Sequence, residues 1–313
     1  METAENRDIV VAALKHAAPY IRMFKHKTFV LKAGGEIFAS QESTRDFLEQ
    51  ISILHELGIR IVLVHGGGPQ STELATSLGV ETTFIEGRRV TNAESLEVAT
   101  MVLNGQINTR ILAACRDIEI PAVGISGVDA GLIRASKRPP VDVYGHEAGP
   151  VDYGFVGDIE SVEADVLRTQ IASGLVPVIS PLSADESGTV LNINADTVAA
   201  ALAAALDAEK LIIVTGAPGI LEDRSDPASL MSYIDLDGLE RLHKGGSLAE
   251  GMLPKARAIE AAIRGGVKRV HVISHNLADS LLLEVFTNEG TGTLVVENIG
   301  TLSPAEQAPG TAT

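Results

Sequence analysis

The 313-residue chain has a single cysteine, Cys115, and is short of positive charge: 25 lysines and arginines stand against 41 aspartates and glutamates, a formal net charge of −16. A lone cysteine cannot close an intrachain disulfide. The acidic balance repels phosphate backbones and anionic headgroups, so neither nucleic acid nor a membrane surface is an expected partner. No apolar run approaches the roughly 20 residues that span a bilayer, and the first residues show no leader with an apolar core and cleavage site. The expectation is a cytoplasmic protein. Also missing are the G-x-x-x-x-G-K-[ST] loop and a G-x-G-x-x-G following a strand, which excludes P-loop and dinucleotide-binding chemistry of those types. No His, Cys or carboxylate spacing matches a zinc site, so no protein-held metal is expected.

With 45% hydrophobic residues the chain can bury a large core, as one domain or as two lobes sharing a sheet. Short apolar runs at 28–31, 60–65, 122–126, 176–180, 210–215 and 269–274 are mostly continuous rather than alternating. Strands buried on both faces of a parallel sheet read this way. Helical patterns lie between them: 69–78 opens on Pro69 and closes on Gly79, and the Ala-rich 195–206 follows Asn194 as N-cap. The alternation predicts a layered α/β fold with a mostly parallel sheet. Ahead of it, Ile9, Val10, Ala13, Leu14, Ala17, Ile21 and Phe24 recur at three and four, predicting an amphipathic helix within 1–26, kinked at Pro19. The stretch 298–313 has no periodicity and is expected to be a loose tail.

Two glycine clusters end adjacent strands, Gly34-Gly35 after Lys32-Ala33 and Gly66-Gly67-Gly68 after His65. Ligands of open parallel sheets sit beyond the carboxyl ends of the strands, where glycine lets backbone N–H groups approach an anion. One cluster alone reads as a tight turn; two, with a helix starting directly after Gly68, favour an anion site. Lys255 follows Pro254 at a helix start, where a cation costs roughly 0.3–1 kcal/mol against the dipole unless an anion binds there. Capping accounts for one or two of Asn192, Asn194 and Asp196, but not for all three. Lys32 on its own reads as a strand-end lysine, Arg88-Arg89 as an exposed pair, and His65 as a satisfied polar position.

Together these pieces resemble the amino-acid kinase family, and within it the members that phosphorylate N-acetyl-L-glutamate, over 27–296. The motifs are V-H-G-G-G-P-Q at 64–70, G-R-R-V-T at 87–91, Ser126-Gly127, G-F-V-G at 154–157, N-I-N-A-D at 192–196 and G-M-L-P-K at 251–255. The resemblance implies a three-layer αβα sandwich about a mostly parallel open sheet, in a kinase domain spanning 27–297. Its first lobe, to about residue 188, would hold the acyl amino acid, and the lobe from about 189 would hold ATP with Mg²⁺. By residue-wise match, Lys32 and Lys255 stabilise the transferring phosphoryl group and Asp196 orients them. Gly67, Gly68, Arg89 and Asn192 take the acyl amino acid; Gly34, Gly35, Thr215, Gly216 and Gly219 take the nucleotide. The chain departs from the family at Ala33 and Val128, which bear on acyl specificity, and at Glu250, which bears on the nucleotide. The N-terminal helix and the run 281–293 resemble arginine-inhibited hexameric members, implying a homo-oligomer, dimer or hexamer, and an L-arginine site at Tyr20, Glu284, Gly290 and Gly292. A histidine usual in those members is Asp279 here. Two other readings stand beside this one: a kinase of a homologous substrate such as N-acetylaminoadipate, and a silent regulatory paralogue.

Overall fold

The computed structural model describes residues 4–85, 88–142, 149–223, 225–248, 250–288 and 290–302. In chain order the strands are β1 (Thr28–Ala33), β2 (Arg60–His65), β3 (Thr83–Ile85), β4 (Arg88–Val90), β5 (Ala122–Ser126), β6 (Ile133–Lys137) and β7 (Gly157–Val162). They continue as β8 (Val176–Ser180), β9 (Leu182–Ala184), β10 (Val190–Asn192), β11 (Lys210–Thr215), β12 (Tyr233–Asp235), β13 (Val270–Ser274) and β14 (Thr293–Val296). The α-helices are α1 (Ala4–Phe24), α2 (Gln41–Glu56), α3 (Gly68–Ser77), α4 (Ala93–Thr100), α5 (Thr109–Asp117), α6 (Asp165–Ala172), α7 (Ala195–Ala205), α8 (Leu236–Lys244), α9 (Leu253–Arg264) and α10 (Ser280–Phe286). A π-helical turn, Met101–Asn108, joins α4 to α5.

Strand β1 shows how the layers arise. Phe29, Leu31 and Ala33 enter one apolar core with Ile61 and Leu63 of β2, and Val30 enters another with Val62 and Val64. Period-two alternation with apolar residues on both sides yields a sheet covered on both faces. Helices α2, α5 and α10 pack on the first face through residues such as Leu48, Ile111 and Leu281; α6, α7 and α9 pack on the second through Leu167, Val198 and Ile259. The result is three layers around an eight-stranded sheet, in the order β12-β14-β13-β11-β1-β2-β8-β5. The six strands from β13 to β5 in that order are mutually parallel, and they are the six apolar runs of the sequence. β14 pairs antiparallel with β13 and parallel with β12, so that edge runs the other way.

β1 extends two residues beyond the apolar run, which carries Lys32 into the sheet instead of leaving it at a strand-end surface. Its side chain takes the second face, toward α7. A four-stranded sheet, β10-β9-β6-β7, and the hairpin β3-β4 stand beyond the carboxyl ends of the main sheet and wall the space there. Helix α1 runs unbroken through Pro19. Its last turn docks, with Phe24 edge-on to Phe29 at 5.2 Å, whereas Ile9, Val10, Val11 and Leu14 are exposed. Of the expected tail, Asn298 caps the 3₁₀ turn Ile299–Thr301 and Leu302 is buried; residues 303–313 lie outside the described residues. No helix among the described residues is long and apolar enough to cross a membrane.

Candidate active site

The two glycine loops leave neighbouring strands and pack against each other. A Cβ at Gly35 would come within 2.9 Å of Gly67 Cα, and one at Gly67 within 2.5 Å of Ile107 Cδ1. At Gly35 the obstacle includes backbone, which requires glycine, whereas at Gly67 it is the ends of the Ile107 and Leu103 side chains. Gln70 Nε2 bridges the loops by donating to Gly35 O at 2.6 Å. Beyond them opens a cavity of about 600 Å³. The N–H groups of Gly35, Gly67 and Gly68 donate to no acceptor among the described residues. Helix α3 starts at Gly68 with no side-chain cap, so its positive end also faces this region.

At the cavity floor Asp196, in the first turn of α7, lies between two lysines. Lys32 Nζ is 3.0 Å from Oδ1 and Lys255 Nζ is 3.4 Å from Oδ2. Asn194 caps α7, its side chain accepting from the N–H groups of Asp196 and Thr197, which fixes the turn that presents Asp196. Lys255 enters from the first turn of α9, which has neither a side-chain cap nor an acid there. Burial opposes ionisation of Asp196, yet the ammonium groups of Lys32 and Lys255 outweigh it and hold the carboxyl below the usual range. The Lys32 contact is close but not aligned as a hydrogen bond, and Oδ1 has no hydrogen-bond partner. The Lys32 donor hydrogens are therefore left for another acceptor.

Across the cavity Arg89 Nη2 donates to Thr72 Oγ1 at 2.7 Å and to Gly68 O at 3.2 Å, with its guanidinium 4.8 Å over the Phe84 ring. Burial pushes the Arg89 guanidinium down from its ordinary pKa. Asn192 Nδ2 reaches Thr91 Oγ1 at 3.4 Å. Among the described residues six cations line the cavity, Lys32, Arg88, Arg89, Arg138, Lys255 and Arg257, against the carboxylates of Glu36 and Asp196. In a chain of net charge −16 this concentration marks a site for anions.

The structure thus gathers Lys32, Gly34, Gly35, Gly67, Gly68, Arg89, Asn192, Asp196 and Lys255 around one cavity. Thr215 ends β11, the strand beside β1, and Gly216 and Gly219 follow it; none of the three lines the cavity. Sequence reasoning missed Arg138 and Glu36. Arg138 leaves β6 and is braced by Asp158, with Nε at 2.9 Å and Nη2 at 2.6 Å from one carboxylate oxygen. It directly follows β6, an inner strand of the four-stranded sheet, and carries no sequence signal of its own. Ala33 is buried in the first-face core and Val128 is exposed; neither lines the cavity. The Glu250 side chain lies outside the described residues.

Tyr20 stands on α1 and Glu284 on α10, two helices in contact, and Gly290 and Gly292 follow α10. Tyr20 Oη donates to Asn288 Oδ1 at 2.6 Å and meets Phe286 edge-on. Glu284 Oε1 accepts from His271 Nδ1 at 2.5 Å, Oε2 accepts from Thr291 N at 2.6 Å, and Lys210 Nζ is 2.9 Å from His271 Nε2. Burial opposes ionisation of Glu284, but the His271 and Thr291 hydrogen bonds outweigh it and hold the carboxyl at about 2. Gly290 has φ +62° and approaches Glu284, and a Cβ at Gly292 would sit 2.0 Å from Val272 O.

Among known proteins, residues 27–274 match the amino acid kinase family. A protein of Myxococcus xanthus named acetylglutamate kinase is 49% identical over 91% of this chain and 94% of its own. One of the same name from Methanococcoides burtonii is 41% identical over 95% and 96%. Among solved structures, N-acetylglutamate synthase from Neisseria gonorrhoeae complexed with coenzyme A and N-acetyl-glutamate superposes with TM-score 0.80 at 28% identity, covering 92% of this chain; the chain spans 63% of the synthase. The same synthase is also known complexed with L-arginine. Carbamate kinase from Giardia lamblia bound to AMP-PNP, 18% identical over 87% of this chain and 99% of its own, shares the fold with TM-score 0.61.

Proposed function

The chain belongs to the amino acid kinase family, and from that premise we propose that it moves the γ-phosphoryl group of ATP to the γ-carboxylate of N-acetyl-L-glutamate, a step of arginine biosynthesis. The observation that carries the reading is the pair of lysines converging on buried Asp196 beside two glycine loops with unused N–H groups. The nucleophile, a carboxylate of ordinary pKa about 4.3, is already ionised at neutral pH and needs no general base. Catalysis then consists of holding two mutually repelling anions in line and stabilising the charge that spreads over the transferring group. Lys32 and Lys255 supply that charge in a desolvated site, and Asp196 keeps both ammonium groups in place. Gly35, Gly67 and Gly68 offer backbone donors to the γ-carboxylate and the phosphoryl oxygens. Arg89 takes the α-carboxylate, with Asn192 beside it on the acyl amino acid, and Gly34 with the Thr215–Gly219 turn serves the nucleotide.

Magnesium fits this arrangement as a companion of the nucleotide. No cluster of three metal-ligating side chains occurs among the described residues, and Asp196 is committed to its lysines, which leaves phosphate oxygens with Glu36 as the donors that would hold it. When bound it screens phosphate charge. We place the reaction in the cytoplasm, as the lone buried Cys115 suits a reducing compartment. A coupled assay with N-acetylglutamate, N-acetylaspartate and N-acetylaminoadipate tests the substrate: highest kcat/KM with N-acetylglutamate is expected. Preference for N-acetylaminoadipate would replace it, and no turnover with any would make this a silent paralogue.

For regulation, the exposed apolar stripe of α1 suits pairing with the same helix of another subunit, joining three dimers into a hexamer. L-arginine would bind between α1 and α10, near Tyr20 and Glu284, coupling assembly to catalysis. Removing residues 1–16 takes away the stripe and spares Phe24, which belongs to the core. Light scattering should then fall from hexamer to dimer, with arginine inhibition weakened. An intact protein that is already dimeric, or that arginine never inhibits, ends this part of the reading.

A further inference from the structure

His65 ends β2 with no exposed surface, on the sheet face that carries Ile61 and Leu63. Its ring stands edge-on to Phe38, the centroids 6.3 Å apart. Nε2 lies 3.2 Å from Asn108 Nδ2, which also donates to Val178 O at 3.0 Å. An amide nitrogen is a donor only, so Nε2 accepts and the single proton of the neutral ring sits on Nδ1. Nδ1 is 3.2 Å from Gly66 O and donates to it. Burial pushes the His65 pKa down to about 4, so the ring is neutral at physiological pH. The arrangement is built from several elements. The π-helical turn delivers Asn108, and Gly124 leaves room for its carboxamide, since a Cβ there would come 2.0 Å from Asn108 Oδ1.

The carbonyl that His65 holds and the N–H of Gly67 belong to one peptide unit. No cis peptide occurs among the described residues, so the two groups point in opposite directions. The carbonyl is drawn toward the His65 face of the sheet. The N–H is accordingly turned toward the other face, that of Lys32 and Asp196, and Gly67 lines the cavity there with its N–H unused. Flanking glycines leave this peptide free to rotate unless something holds it.

We propose that His65 is a positioning residue for phosphoryl transfer: by donating to the Gly66 carbonyl it locks the Gly66–Gly67 peptide with its N–H aimed at the transferring group. This rests on the kinase reading of the cavity. A donor aimed in advance contributes most in the transition state, where the phosphoryl oxygens gather charge, and little to ground-state binding.

The test compares wild type, His65→Leu and His65→Asn in the full chain. Leucine removes the donor; the asparagine amide nitrogen reaches the place of Nδ1 and keeps it. In His65→Leu kcat should fall at least about tenfold, with both KM values within about twofold. Binding of MgADP with aluminium fluoride and N-acetylglutamate should weaken by a similar factor while MgADP alone binds as before, and His65→Asn should recover most of both losses. Equal losses in the two variants that follow their melting temperatures, or an unchanged kcat in folded His65→Leu, would reduce His65 to a core residue. NMR of the wild type with nitrogen-labelled histidine needs no variant: the Nδ1–H tautomer is expected, and the Nε2–H tautomer overturns the proposal. A wild type inert toward N-acetylglutamate would instead remove the kinase reading beneath it.

Discussion

Two buried ionic clusters lie toward opposite ends of the same sheet. At the carboxyl end, Lys32 and Lys255 share the one carboxylate of Asp196 beside a cavity. At the other end of β11, Lys210, His271 and Glu284 form a chain in which each polar group has a partner: Lys210 Nζ donates to His271 Nε2, and His271 Nδ1 to Glu284, which Thr291 also satisfies. The first cluster has an excess of cation and unused donors, which burial makes costly until an anion arrives. In the second, Lys210, His271 and Glu284 already bond one another. The comparison teaches that burial alone does not mark a site; a charge imbalance next to open space does.

If that distinction holds, injuring the complete cluster should reach stability first and injuring the unbalanced one should reach turnover first. Glu284→Leu leaves the His271 Nδ1–H buried without its acceptor, and removing one partner of a buried pair costs about 3–5 kcal/mol. A large fall in melting temperature in calorimetry is expected, and an unchanged one would mean that the chain of three carries no stability. Acid acts in the same direction. Glu284, held at about 2 against an ordinary 4.5, contributes stability that is fully present above about 4.5 and is lost as pH falls toward 2. His271 and His65, kept neutral by burial, contribute stability present above their ordinary 6.5 and lost as pH falls below it, since the unfolded chain then binds the proton first. Urea melts should therefore weaken from pH 6.5 to pH 4 through the histidines, and Glu284→Leu should show a shallower further decline only below about pH 4.5.

Lys255→Ala should lower kcat by about 10²–10³-fold, or about 2.7–4 kcal/mol, as the loss of one oxyanion-type donor does. Asp196 keeps Lys32, so the melting temperature should move little. Turnover unchanged at saturating substrates would take Lys255 out of the reaction and erase the contrast between the clusters. The smallest effect is expected at the cavity rim. Arg89→Lys keeps the charge but loses the planar fork, costing about one charge-assisted hydrogen bond, roughly 1.5 kcal/mol or about tenfold in the KM for N-acetylglutamate. Should the KM for ATP rise instead, Arg89 faces the nucleotide.

The six parallel strands from β13 to β5, the glycine loops at two of their ends and the starts of α7 and α9 could all be read directly from the chain. Each is announced locally, by an apolar run, a Gly-Gly pair, Asn194 as cap or Pro254 in the first turn. β12 and β14 were not foreseen, being short and partly polar, and neither was the reversal of direction at that edge. Lys32 on its own looked like a surface residue because a lysine ends an apolar run; only the neighbouring β2 and β11 draw it inside. Arg138, Glu36 and the Lys210–His271 contact had no local signal at all.

The sequence by itself determined the layering, because backbone period and apolar content act over a few residues, and it determined the ends of the sheet where anions bind, because glycines must sit where backbone donors are bared. It also identified Lys32, Asp196 and Lys255 as a group, through family resemblance rather than spacing. Only the tertiary structure decided that the two lysines share Asp196 while the Lys210–Glu284 chain closes on itself, and that the His65 proton is spent on the Gly66 carbonyl. These pairings join residues far apart in the chain, 164 and 59 positions for the two lysine contacts with Asp196 (196 − 32 and 255 − 196). Partners at such separations are chosen by the packing of strand on strand and helix on sheet, which no local pattern encodes.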